Sequence, residues 1–121
     1  MARPRSHDPA AIERYCRARP GATASRPFGP EPLVFKAGGK MFALLGEHDD
    51  QPVVSLKCDP DRALVLRSSY AAITAGYHLN KEHWNTVVLD GTVPVELVRE
   101  LIDHAHDLVT RKPARKPRKK A

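Results

Sequence analysis

The chain has 121 residues, 41% of them hydrophobic and 28% charged, a balance that fits one soluble globular domain able to bury roughly two-thirds of its unfolded surface. No apolar run approaches the roughly 20 residues that cross a bilayer, and the opening MARPRSHDP has basic residues with no apolar stretch behind them, so neither a membrane span nor a secretory signal is read and a cytoplasmic location is expected. The formal charge of +6 is uneven: Arg111, Lys112, Arg115, Lys116, Arg118, Lys119 and Lys120 crowd the last eleven residues without an acid, leaving 13 basic and 14 acidic residues elsewhere.

Residues 1–7 read as a flexible N-terminus and 8–110 as a single domain. Asp8-Pro9 combines a carboxylate able to cap free amides with a proline suited to the first helical position. Ile12, Tyr15, Cys16 and Arg19 then recur at helical spacing until Pro20-Gly21 stops the helix, which makes Cys16 a small hydrophobe of its apolar face. The run PFGPEP from Pro27 to Pro32 forces an extended or turning connection. Leu33 to Lys36 and Lys40 to Leu45 flank Gly38-Gly39 and predict a hairpin. Gly46 to Pro52 reads as a polar loop, and Val53 to Lys57 as a third strand closed by Cys58-Asp59-Pro60. Asp59-Pro60 repeats the cap-and-proline device for a second helix through Ala63, Leu64, Leu66 and Arg67. Tyr70 to Gly76 reads as irregular, Tyr77 to Leu79 and Trp84 to Leu89 as a final hairpin. After Pro94, Leu97, Leu101, Ala105 and Leu108, with Val98, Ile102 and Val109 beside them, draw a broad apolar stripe at helical period. Prolines and dense like charge predict a disordered basic tail over 111–121. The order is helix, three strands, helix, two strands, helix: an α+β domain with helices on one face of an antiparallel sheet.

Chemistry is harder to place. His104 and His106 lie about 200° apart around a helix and cannot meet on one ion. His78 and His83 could approach across a hairpin, with Glu82 or Asp59 as an oxygen ligand, but no third ligand is recognisable, so no metal is assigned. Ser55, Ser68 and Ser69 lack the glycines of a hydrolase elbow, Cys58 has only Lys57 to activate it, and Gly38-Gly39 joins two strands where a phosphate loop would join strand to helix. No catalytic residue or cofactor is assigned. An enzyme would need two or three of Lys57, Cys58, His78 and His83 to converge in an open cleft. The polar cluster His78, Asn80, Lys81, His83, Trp84 and Asn85 is the best candidate ligand surface on the body, although Trp84 opens a strand as a core anchor would. The tail charges suit a polyanion.

Five segments, Arg19-Pro20-Gly21-Ala22, Lys40 to Leu44, Ser55 to Pro60, Gly76 to Lys81 and His83 to Val87, resemble in order and spacing the MmcQ/YjbR family of small bacterial proteins, over about Asp8 to Val109. The resemblance implies a two-layer α+β fold of the type also seen in type III secretion chaperones, in the order α-β3-α-β2-α. Members of that family are described as candidate DNA-binding proteins with a double-wing arrangement and have no established activity or catalytic residues. Two departures stand out: Ala105-His106 occupies the place of a Ser-Tyr pair, and the basic tail lies outside the pattern. The expectation is a non-enzymatic DNA-binding protein in which hairpin tips bearing Lys36, Lys40 and Lys81 approach the backbone and the tail adds affinity. The alternative is a module binding a protein or small ligand at the His78 to Asn85 surface. Oligomeric state is left open.

Overall fold

The structure, a computed structural model, describes residues 7–76 and 79–111. Asp8 and Asp59 open the first two helices as their sequence suggests. The Asp8 carboxylate accepts from the Ala10 amide ahead of α1 (Pro9–Arg17), and that of Asp59 accepts from the Asp61 and Arg62 amides at the head of α2 (Pro60–Ser69). Each satisfies amides that the helix itself leaves without partners. The third helix, α3 (Val95–Thr110), buries Val98, Leu101, Ile102, Ala105 and Val109, so the stripe that reaches the core is turned slightly from Leu97 and Leu108, which are half-buried.

Six strands, β1 (Thr23–Ser25), β2 (Leu33–Ala37), β3 (Lys40–His48), β4 (Gln51–Lys57), β5 (Ile73–Ala75) and β6 (Trp84–Val88), form one antiparallel sheet in the order β1-β2-β3-β4-β6-β5. The α+β class and the helix-strand order are as expected, with one added strand and three shifted boundaries. Thr23–Ser25, unread in the sequence, pairs along β2 as an edge strand. Strand β3 continues through Gly46 to His48, and the expected loop shrinks to Asp49 and Asp50, both at positive φ (53° and 64°), the requirement of a two-residue primed turn. The stretch read as irregular contains β5, which pairs Ile73 with Val87 and Ala75 with Asn85. Of the strand expected over Tyr77 to Leu79, Leu79 lies in a bend and the other two residues fall outside the described ones.

All three helices cover one face. Helix α3 crosses β2, β3 and β4, α1 packs on α3 and β3, and α2 on β5 and β6. Alternation then sends Leu33, Phe35, Leu45, Val54, Leu56, Val87 and Ile73 into the core beneath them. Between β2 and β3 the register slips, Phe35 facing Ala43 and Lys36 facing Met41. The extra residue of this bulge lets consecutive Phe42 and Ala43 both join the core and turns Met41 to the opposite face. Phe42 contacts Phe35 at 6.3 Å and meets the His106 ring edge-on at 5.4 Å.

The registers also decide which loops share an end. The Gly38-Gly39 turn, the start of β6 at Trp84 and the end of β4 at Lys57 lie at one end, because Ala37 faces Lys40 and Lys57 faces Trp84. A Cβ on Gly38 would sit 3.3 Å from the Val109 carbonyl, which brings the C-terminus of α3 to the same end. The Asp49-Asp50 turn and the Asp90-Gly91 segment after β6 lie at the other. Phe42 is fully buried at the junction of bulge, sheet and α3, so Phe42→Ala is expected to lower unfolding free energy by about 3–5 kcal/mol, measured by urea denaturation.

Candidate functional site

Charge follows the two ends. The end with the Gly38-Gly39 turn carries Lys36 and Lys40, exposed, Lys57, half-buried, and Lys81 in the loop before β6. Arg111 follows the last turn of α3, 3.9 Å from Asp107. Among the described residues Lys36, Lys40 and Lys57 form no ion pair. Asp59, Asp61 and Glu82 also stand there, Asp59 as the cap at the head of α2. The opposite end gathers Glu31, Glu47, Asp49, Asp50 and Asp90, and hydrogen bonds from the Thr92 hydroxyl and amide hold the Asp90 carboxyl below its usual range. Arg26, at that end, donates to the Pro30 carbonyl. The near-neutral body is thus polarised along its strands. The nearest strands of the two basic loops, β3 and β6, are two strand spacings apart, about 10 Å. Of the other tail cations named from sequence, Lys112, Arg115, Lys116, Arg118, Lys119 and Lys120 lie outside the described residues.

The segment from Gly76 to Asn85 divides into internal and external parts. The Asn80 Oδ1 accepts from the amides of Glu82 and His83 and shapes the turn, while the Cys58 amide donates to the His83 carbonyl at 2.8 Å. Lys81 donates from Nζ to the Gly76 carbonyl, and Arg67 donates to the Lys81 carbonyl, so the loop is tied to α2. Trp84 and Asn85 are buried, 6% and 3% exposed, as strand residues under this loop and under α2. Asn85 donates from Nδ2 to the Ala63 carbonyl, and its buried Oδ1 has no partner among the described residues. The void beside it and Cys58 is about 10 Å³, no larger than a water. The exposed residues of this segment are Asn80, Lys81, Glu82 and His83; His78 lies outside the described residues. Gly76 has a different role: its amide donates to the Trp84 carbonyl, and a Cβ there would come within 2.7 Å of the Trp84 Cβ. Gly76→Ala is therefore expected to cost about 1–3 kcal/mol and to shift the Trp84 fluorescence maximum, both readable in one denaturant titration.

Both cysteines are unbridged and buried. Burial pushes the Cys16 thiol up to about 12 and raises that of Cys58 as well, so neither provides the thiolate that nucleophilic chemistry needs. The α3 histidines point apart, as their spacing requires. His106 donates through Nε2 to the Pro20 carbonyl at 2.7 Å and lays its ring against Phe42, filling the aromatic place of the expected tyrosine. His104 accepts through Nε2 from the Asp59 amide at 3.2 Å, a bond only the neutral imidazole can take. Among the described residues no group of three or more His, Cys, Asp or Glu is arranged to hold a metal ion, and no helix is long and apolar enough to cross a membrane. Burial, then Arg62, lowers the His104 pKa from 6.5. The unfolded chain therefore binds this proton first as pH falls: the stability His104 gives is complete above 6.5 and is lost on descending towards its lowered folded value. Thermal melts at pH 7.5 and 5.5 are expected to show a larger drop for the natural protein than for His104→Gln.

A second concavity, missed in the sequence, lies on the sheet face without helices. It measures about 490 Å³ and is lined by Met41, Leu44, Val53, Ser55 and Thr86, with Phe28, Glu31 and Glu47 at its margin. The available signal was parity: Ser55 and Thr86 are polar residues inside apolar strands.

A family model described as YjbR matches residues 17–108 of the chain. Two curated Escherichia coli proteins, both called uncharacterised, are similar: YbdF of O157:H7, 43% identical over 69% of this chain and 68% of its own, and YjbR of strain K12, 37% identical over 77% of this chain and 79% of its own. Among solved structures, Deinococcus radiodurans DR2400 superposes with a TM-score of 0.79 at 44% identity, covering 85% of this chain and 78% of that one. A Pseudomonas syringae protein gives 0.74 at 27% identity, over 85% and 99%.

Proposed function

The chain belongs to the YjbR family, and from that premise we propose that it is a non-enzymatic, cytoplasmic DNA-binding protein whose basic sheet end meets the phosphate backbone. The observation that carries this reading is the gathering of Lys36, Lys40, Lys57 and Lys81 at the end of the sheet where α3 also finishes. The Gly38-Gly39 turn and the loop before β6 act as paired wings, each presenting ammonium groups that neutralise phosphates without reading bases. The segment that continues from Arg111 adds six further cations from the same end, so tail and body engage one polyanion together, while the acidic opposite end orients the approach. Unbridged cysteines suit the reducing cytoplasm.

A second reading, a protein-binding module, is favoured by one observation. Leu64 and Val65 on α2 are each 62% exposed, beside a shallow groove lined by Pro60, Leu64, Arg67, Lys81 and Glu82. That groove adjoins the exposed part of the Gly76 to Asn85 segment.

The DNA reading is tested by anisotropy titrations of a labelled duplex across salt concentrations, using the full chain, a chain ending at Thr110, and Lys36→Glu/Lys40→Glu/Lys81→Glu. If each cation meets one phosphate, the tail contributes a slope of about −6 in log affinity against log salt and the four body lysines about −3.5. The shortened chain is expected to bind more weakly with a shallower slope, and the triple variant to lose most of what the body contributes. Absence of binding by the full chain at low salt removes the proposal. Binding confined to the full chain, with none by the shortened one, assigns it to the tail alone.

A further inference from the structure

The uncovered face of the sheet carries a feature that DNA binding does not use. Antiparallel sheets leave one face open to water by making it polar, yet here Leu44, Val53 and Met41 face a groove of about 490 Å³, within the usual range of small-molecule sites. Its walls are built. Gly46 lies on the groove floor, where a Cβ would meet Glu31 Oε1 and Pro32 Cβ, each at 3.4 Å, so the loop ahead of β2 folds up beside the strand. The Glu47 amide donates to Glu31 Oε1 at 3.2 Å, which fixes that loop, and the second Glu31 oxygen has no hydrogen bond among the described residues. In the middle of the floor Ser55 and Thr86, opposite each other on β4 and β6, share a hydrogen bond of 2.8 Å while being only 7% and 4% exposed.

The charge at the mouth selects the occupant. Glu31 and Glu47 are exposed, and neither forms an ion pair among the described residues. The guanidinium of nearby Arg26 donates to the Pro30 carbonyl instead. Phe28 stands beside them with 68% of its surface exposed, an aromatic face of the kind that attracts ammonium groups. The geometry points to a binding site on the open sheet face for a small organic cation, an ammonium with an aryl or alkyl body. Its body lies on Leu44, Met41 and Val53, and its charge is held by Glu31, Glu47 and Phe28. Anions meet two carboxylates at the entrance and are disfavoured. The site lies on the face opposite the helices and opens towards the acidic end, so a ligand there leaves the basic end free.

Backbone amide NMR of the full chain tests this with three probes that share one body: 4-phenylbutylammonium, 4-phenylbutanol and 4-phenylbutyrate. The cation is expected to shift the amides of Leu44, Gly46, Ser55 and Thr86 and to bind about tenfold more tightly than the alcohol, with the carboxylate weakest. In Glu31→Gln/Glu47→Gln, which changes only exposed side chains, the cation is expected to fall to the affinity of the alcohol. Four outcomes overturn the proposal: no shifts at millimolar cation, shifts centred on another surface, equal or tighter binding of the alcohol or carboxylate, or a cation preference unchanged in the double variant. Groove amides that move with protein concentration in the absence of any probe also overturn it, because the face then belongs to a second copy of the chain.

Discussion

The seating of α3 across β2, β3 and β4 is the constraint from which both candidate sites follow. The helix has one apolar stripe, and five of its residues are buried against the sheet. Because that stripe is long enough to cross three strands, the helix-facing side of each strand has to be apolar at alternate positions, and it is. Where strict alternation would have exposed Phe42, the bulge between β2 and β3 puts it under α3 with Ala43. The same slip hands Met41 to the other face, where it lines the groove. The helix also ends beside Gly38, so the polypeptide leaves the domain at the basic end of the sheet.

The parts of this fold that were legible in the sequence are those whose cause is local. Asp8-Pro9 and Asp59-Pro60 state their caps in two residues, Gly38-Gly39 states its turn, and the α3 stripe repeats for four turns. What was illegible depends on partners remote in sequence. Thr23–Ser25 carries no strand pattern of its own and is a strand because β2 offers it a ladder. Strand β5 likewise exists because β6 is already placed beside it. Asn85 looked like a surface group because it is polar, but the Ala63 carbonyl, 22 residues away, draws it under α2. The basic end was half visible. Lys36, Lys40 and Lys81 could be named as loop cations, but their common end follows only from the strand registers, and Lys57 joins them for the same reason. Ser55 and Thr86 could not be recognised as neighbours until β4 and β6 were paired out of chain order.

The polarity along the strands distinguishes the two ends of the sheet by charge. Its acidic pole, with Glu31, Glu47, Asp49, Asp50 and Asp90, lies at the end opposite the close of α3, so the nearly neutral body carries a charge asymmetry although its net charge is small. Both thiols are buried.

The two hairpins of the central meander have no slack. Each closes through two residues at positive φ, Gly38-Gly39 and Asp49-Asp50, with Ala37 paired to Lys40 and His48 to Gln51. Such a tip is tied to the sheet directly at its closing residue pair. The reach of the tip is also quantised. Lengthening it by one residue on each strand adds about 3.4 Å but sends every new side chain to the opposite face. Only a step of two residue pairs, about 7 Å, extends the hairpin while keeping the side chains of its tip on the same faces. Family members that differ in the length of this hairpin should therefore differ by even numbers of pairs.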